Sequence, residues 1–290
     1  MKMKRKTKKY LVLPAAILIL MLVSGTVSAS AEAIGSEGVA GATAAVETEN
    51  VGETAGAAAA VETGNVEETA GAEQTETVKK DALSGCSPWA AEEISKAIEE
   101  GLVPEHLQCD YQQPVTRGEL TELMAYYELY HEPESTTLGE MWAKKDEQYA
   151  QWREQYGDSI SNLRYYQENI FTDTNEELYN RMYQFDRISG YPDGTFRPDE
   201  NITRAEAAVL LWSVLREYIS GGYMTAEGWY TQAVYQFKDI DAIPEWSEYY
   251  VAWMWYLGCI KGYSETIYGP EDLMTREQAI AAVMRMAKRW

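Results

Sequence analysis

Three stretches of this 290-residue chain repeat one short device: Thr116-Arg117-Gly118-Glu119, Thr203-Arg204-Ala205-Glu206 and Thr275-Arg276-Glu277-Gln278. Each reads as a capping box, in which the Thr hydroxyl accepts from an amide of the first helical turn and the Glu or Gln side chain reaches back to the cap residue. Counting on from each Thr, the same four positions carry Leu120, Leu123, Met124 and Tyr127, then Ala207, Leu210, Leu211 and Val214, then Ala279, Ala282, Val283 and Met286. That is one apolar helical stripe, three times, in one register. A unit repeated in this way buries its face against its siblings, so the chain is expected to fold as three helical units around a shared core.

What precedes each box repeats too. Trp89 and Trp246 open helical patterns continued by Ile94, Ala97 and Ile98, and by Val251, Met254 and Trp255. Gly101 and Gly258 follow, where a left-handed helix stop favours glycine. The second copy has Tyr179, Met182 and Tyr183 at the matching places, without that Trp or Gly. Each unit therefore reads as helix, loop, capped helix. The loop is most explicit in copy two, Gly190-Tyr191-Pro192-Asp193-Gly194-Thr195-Phe196-Arg197-Pro198, where Pro-Asp-Gly is turn chemistry. Copy three keeps Gly262-Tyr263 and Pro270 around Ser264-Glu265-Thr266, and copy one has Pro104-Glu105-His106-Leu107 instead.

The Arg after each Thr is the odd choice, because a cation in the first turn opposes the helix dipole. Its recurrence at Arg117, Arg204 and Arg276 points to a task outside the helix, and an Arg beside a helix N-terminus suits an anion. Pairing with acids of a neighbouring unit is the plainer alternative. Trp89 and Trp246 read either as core anchors or as sugar platforms, and Tyr191 and Tyr263 leave the same two readings open. Asp193 beside Gly194 reads as a turn, because a calcium loop needs more oxygen ligands at fixed spacing.

The stretch Phe171 to Leu211, with its Gly-Tyr-Pro-Asp-Gly-Thr-Phe-Arg-Pro loop and Ile-Thr-Arg-Ala-Glu box, resembles an S-layer homology (SLH) motif. Phe237 to Met286 is similar to a second, and about 86–124 to a degenerate one. The resemblance implies an all-α fold: a pseudo-threefold arrangement of three helix-loop-helix motifs with helical insertions, preceded by a disordered linker. It also implies that grooves between motifs hold a secondary cell-wall polysaccharide, often carrying pyruvate ketals. The positions it marks for ligand binding are Arg117, Arg204 and Arg276, with Gly190, Tyr191, Asp193, Gly262, Tyr263, Trp89 and Trp246 beside them. Motif 1 is placed at about 83–130, motif 2 at about 169–218 and motif 3 at about 236–290, all within a domain over 81–290. Insertions fall at 131–168 and 219–235. In the first, Trp142, Tyr149, Trp152 and Tyr156 stand at near-helical spacing, which predicts a long helix packing one face, or else an aromatic surface for sugar or a partner. The second carries Gly221-Gly222 and Trp229-Tyr230.

Residues 1–31 read as a signal peptide: a Lys/Arg-rich start, the apolar run Leu11 to Val23, and small residues at Val27-Ser28-Ala29 and Ala29-Ser30-Ala31. Residues 32–80 are low in complexity and acidic. There, 44–57 recurs as 59–72, differing only at Glu49/Gly64 and Gly52/Glu67, a composition that cannot offset its ordering entropy. The net charge of −21 argues against nucleic acid and against a polybasic membrane surface. An anionic polymer would be held by local Arg clamps and aromatic platforms instead.

Cys86, Cys109 and Cys259 are odd in number and lack metal spacing. Cys86 with Cys109 admits a disulfide, and buried free thiols are the other reading. His106 and His131 stand in no metal-like constellation, and no cofactor is expected. The sequence thus leads to an exported, non-catalytic cell-surface protein, with no membrane span after signal cleavage, that anchors itself or a partner non-covalently to wall polysaccharide. One alternative is an SLH-like module that has lost sugar binding and docks another surface protein. The other is a wall-active glycoside hydrolase, for which no motif fixes two carboxylates across a cleft.

Overall fold

Each of the three capped helices begins at the residue after its Thr. A computed structural model of the protein describes residues 83–160, 163–168, 170–218 and 236–289. The expected signal peptide, the spacer and the insertion at 219–235 lie outside the described residues. The described helices are α1 (Ala91–Glu99), α2 (Arg117–Tyr130), α3 (Leu138–Tyr156), α4 (Glu177–Gln184), α5 (Arg204–Leu215), α6 (Glu245–Tyr256) and α7 (Arg276–Ala287). Among the described residues the only β pairing is at isolated bridges. No described helix is long and apolar enough to cross a membrane.

Thr116 and Thr203 form complete capping boxes with Glu119 and Glu206. The third box is only half made. Thr275 accepts from the Gln278 amide, but the Gln278 side chain turns away and accepts from Arg204 Nη1 at 3.1 Å. A neutral amide loses less by leaving the cap than a carboxylate would, and it gains a charge-assisted bond. Gly101 and Gly258 do take left-handed conformations, with φ of 74° and 66°. Copy two reaches the same stop with Asp186 at φ 61°, which Asp tolerates better than most residues.

The three units close on one another through the backbone. Val115 donates to the Met274 carbonyl at 2.8 Å, Met274 to Ile202 at 2.9 Å, and Ile202 to Val115 at 3.2 Å. These are the residues just before each Thr, so one residue from each copy completes a ring. The helix starts repeat the pattern. The first two amides of α2 donate to Glu200 and Pro198, those of α5 to Asp272 and Pro270, and those of α7 to Gln113 and Tyr111. Amides that a helix N-terminus leaves unpaired are thus satisfied by the loop of the next copy, while the third goes to the Thr hydroxyl. Inside this frame the stripes Leu120–Tyr127, Ala207–Val214 and Ala279–Met286 fill one continuous hydrophobic core.

The first insertion supplies α3, capped by Thr137. Met141, Trp142, Tyr149 and Trp152 are buried and Tyr156 half-buried, with Tyr149 stacked on Tyr165 at 3.9 Å. The packing reading holds, and an exposed aromatic surface on this helix does not: Tyr149 packs on Tyr165 and Phe185, Trp152 packs on Tyr149, and Trp142 is buried. Glu128, fully buried at the end of α2, pairs with Arg187 of motif 2 and with Lys145 of α3 at 3.4 Å. Burial alone would raise its carboxyl, but the two cations outweigh that and hold it well below the usual range. Removing both cations would strand a buried charge, at about 3–5 kcal/mol, and removing one leaves the other to hold it. All three thiols are free: Cys259 is buried, Cys86 half-buried and Cys109 exposed, so the buried-thiol reading describes Cys259 alone.

His131, three residues beyond Glu128, sits among the rings of Tyr127, Tyr130 and Tyr218. Burial pushes the imidazole down to about 4, against the pull of Glu128. An unfolded chain binds that proton at about pH 6.5, so acidification from about 6.5 to 4 favours unfolding. Thermal melts at several pH values should show stability falling through this window, and His131→Phe should flatten that slope. The loss carried by Glu128 would remain and begin below its unfolded value, about pH 4.3. An unchanged slope in the variant would show that His131 does not carry it.

Candidate functional site

Because each box docks on the loop of the following copy, the three Arg side chains reach across unit boundaries. Arg117 extends to motif 2, where Nη2 donates to the Ser189 carbonyl at 2.7 Å. Arg204 extends to motif 3, donating to Lys261 at 2.6 Å and to Tyr268 at 3.0 Å. Arg276 extends to motif 1, donating to Cys109 at 2.7 Å. The task outside the helix is therefore first an intramolecular one. The helix-start amides are also taken by neighbouring loops, so any anion site here rests on guanidinium groups and not on a helix N-terminus.

The three cations differ in what they have left to give. Arg204 is 2% exposed, bonded through all three nitrogens and sandwiched between the rings of Tyr263 and Tyr268 at 4.6 and 4.9 Å. Arg276 is paired with Glu119 of motif 1 at 2.6 Å, as the plainer reading of an acid from a neighbouring unit has it. Arg117 makes no such pair. Its guanidinium lies over Tyr191 and Phe196 at 5.0 and 4.9 Å, and its buried Nε, like that of Arg276, has no hydrogen-bond partner, so the missing acid is what sets it apart. Burial depresses its pKa, with Tyr191, Glu206 and Glu200 opposing, and a guanidinium stays charged regardless.

Arg117 opens into a cleft of about 420 Å³. It is lined by Asp186 to Tyr191 of motif 2, by Leu210, Trp212 and Ser213 of α5, and by Trp246 and Tyr250 of α6. Two further cations line it, Arg187, paired with Glu128, and Arg216, paired with Asp186 at 2.9 Å. Four residues marked by the sequence, Arg117, Gly190, Tyr191 and Trp246, thus come together in one place.

The others are placed apart from it. Trp89 lies near Arg285, 6.0 Å from ring to guanidinium, in the contact between α1 and α7. Tyr263 covers Arg204. Asp193 closes its own turn, accepting from the Thr195 amide and hydroxyl and from Arg197, and these bonds, Thr195 first, hold its carboxyl down at about 2. Gly190 and Gly262 have a packing reason: a Cβ would meet Phe171 and the Thr195 carbonyl at 2.8 Å, and the Ile267 carbonyl at 2.6 Å. Trp89 and Trp246 are 51% and 56% exposed, so neither is a core anchor. Each stands one residue ahead of the buried face begun by Ala90 and Ser247, and one residue is about 100° around a helix. Sequence reasoning missed Trp212, Tyr250, Arg216 and Asp186. The signal for Trp212 and Arg216 was their place on α5 and just past its end, off the apolar stripe.

Residues 180–208 and 236–280 match the family model of the S-layer homology domain. These two segments are similar to the S-layer homology domain. The matched segments fall on motifs 2 and 3, and the degenerate copy one shares their cap, stripe and ring contacts. A cell surface glycoprotein 1 of Acetivibrio thermocellus is 32% identical over 102 residues, 35% of this chain and 4% of that protein. A cellulosome-anchoring protein of the same organism is 34% identical over 104 residues, 35% of this chain and 21% of that protein. The chain thus spans a small part of the length of these relatives.

Arg204→Ala should destabilise the fold by about 3 kcal/mol, because it strands the buried Tyr268 carbonyl and removes the charge-assisted bonds to Lys261 and Gln278 as well. Chemical denaturation should show this as a lower midpoint with little change in slope. A midpoint within error of the natural protein would mean that these bonds contribute nothing.

Proposed function

We propose that this is an exported protein whose SLH motifs bind a secondary cell-wall polysaccharide non-covalently, holding the protein or a partner at the cell surface. The carrying observation is Arg117: a buried, unpartnered guanidinium N–H, with no acid paired to it, at the end of an open cleft rimmed by an exposed Trp. A carboxylate on the polymer, such as a pyruvate ketal, would meet the planar fork of Arg117 and receive the bond that the protein leaves unmade. Trp246 and Tyr250 would face the sugar ring from the opposite side. The family match and the names of the relatives, a cell surface glycoprotein and a cellulosome-anchoring protein, support a surface anchoring role. No reaction is assigned to the cleft.

One groove of three is favoured. Arg204 is enclosed and Arg276 is neutralised by Glu119, so each would have to break internal bonds before taking a ligand. The expected stoichiometry is one polymer end per chain. Because the chain is acidic, bulk attraction contributes nothing, and moderate salt should not abolish binding as it does for a polybasic patch.

Arg117→Ala should weaken binding to purified wall polysaccharide by about 1.5–3 kcal/mol, the scale of a charge-assisted hydrogen bond. The Arg117 side chain makes one hydrogen bond to protein, so its loss should move the melting temperature less than Arg204→Ala does. Calorimetric titration checks both. Full binding by the Arg117 variant would sink this reading of the cleft.

A further inference from the structure

The Arg117 side chain bonds to protein at the Ser189 carbonyl, so the place of that carbonyl sets where the guanidinium stands in the cleft. Ser189 is held through its hydroxyl as well. Arg164 Nη1 donates to the Ser189 hydroxyl and to the Ile188 carbonyl, both at 3.2 Å, and pairs with Asp186 at 3.0 Å. One nitrogen thus touches three residues that line the cleft, while Arg216 takes the other carboxylate oxygen of Asp186 at 2.9 Å. Arg164 is not itself among the lining residues. The grip is particular to copy two: its helix stop is Asp186, whereas Gly101 and Gly258 bring no carboxylate to the matching places.

Arg164 comes from the end of the first insertion, outside the three motifs, and the short turn Arg164–Tyr166 that carries it is firmly mounted. Tyr165 stacks on Tyr149 of α3 and donates from its hydroxyl to Asp146 at 2.7 Å, the acid that also pairs with Arg181 of α4. Gln167 accepts from the Tyr183 hydroxyl and from the Gln184 side chain at the end of α4, and the Arg164 guanidinium lies over the Tyr183 ring at 4.8 Å. We infer that Arg164 is a positioning residue for the cleft: through it the first insertion holds Asp186, Ile188 and Ser189 in place and sets the Arg117 guanidinium in advance for an anionic group on the polymer. A wall held before binding leaves less to be ordered on binding, which raises affinity without a new contact. This rests on the polysaccharide reading of the cleft.

The test uses the full chain and has two arms. The Arg164 side chain is 38% exposed and its loss buries no unpaired charge, so Arg164→Ala should fold. Hydrogen–deuterium exchange needs no ligand. In the variant it should quicken over 186–191, where the Arg187 and Tyr191 amides are bonded to Met182 and Thr195, and stay unchanged over the matching stretch 258–263. Calorimetric titration with purified wall polysaccharide should show Arg164→Ala binding about fivefold more weakly, the scale of ordering one long side chain. Arg164→Ala combined with Arg117→Ala should bind no more weakly than Arg117→Ala alone, because the effect passes through that guanidinium. Unchanged exchange over 186–191, full affinity of the Arg164 variant, or losses that add in the double variant would each overturn the positioning role. So would a loss of affinity that comes with faster exchange in both stretches, which marks general destabilisation. In each of these cases weaker binding by Arg117→Ala alone leaves the cleft reading standing. If the natural protein does not bind the polymer, the cleft reading fails and the positioning role fails with it.

Discussion

The ring of hydrogen bonds through Val115, Ile202 and Met274 is the constraint on which the rest of the structure depends. It is small, three backbone bonds, each worth about 1 kcal/mol net. Its leverage comes from position. Each of these residues is one step ahead of a helix cap, so fixing it fixes where a helix begins and which way its apolar stripe faces. The ring also brings each helix start against the next loop, where otherwise unpaired amides find carbonyls. Without it those amides would be buried unpaired, at a cost larger than the bonds themselves return. The Arg side chains extend the same docking outward by one more layer of carbonyls.

What was legible in the sequence was local. The Thr caps, the apolar stripes and the glycine stops are each decided within a few residues, and the helices α2, α5 and α7 begin and pack as those signals say. The partner of each Arg was not legible, because it depends on which loop closes over which helix. The loop of copy one, where Pro104 to Leu107 replaces the turn, serves Arg276; Arg117 of the same copy serves the well-formed loop of copy two. Degeneracy in one copy therefore bears on a groove that the other end of the chain helps to build. Trp246 was legible as important, but its direction was decided by a single residue of helical phase. The third box failed for a similar reason: Gln278 had a distant suitor in Arg204 that no local pattern reveals.

Electrostatics sorts the three grooves more sharply than shape does. The chain carries 46 acids against 25 Lys and Arg, so an unpaired guanidinium is the exception. Glu119 does two things: it completes the cap of α2 and neutralises Arg276. Its counterpart Glu206 completes the cap of α5 with both Thr203 groups, and Arg117 is left with carbonyl and ring contacts alone. The difference between these otherwise matching positions is one ion pair, present at Arg276 and absent at Arg117 among the described residues.

The closed circle also has a mechanical meaning. Ser87 donates from both its amide and its hydroxyl to Glu277 at 2.8 Å, and Glu93 pairs with Arg285 at 2.6 Å. The beginning of the first unit is therefore clamped to the last helix. A pull delivered through the segment before residue 83 does not peel helices off one at a time, because the first to move is fastened to the last. Tension is shared by the whole circle, and its rupture is a single event. For a tether, that turns a set of weak bonds into one strong fastening.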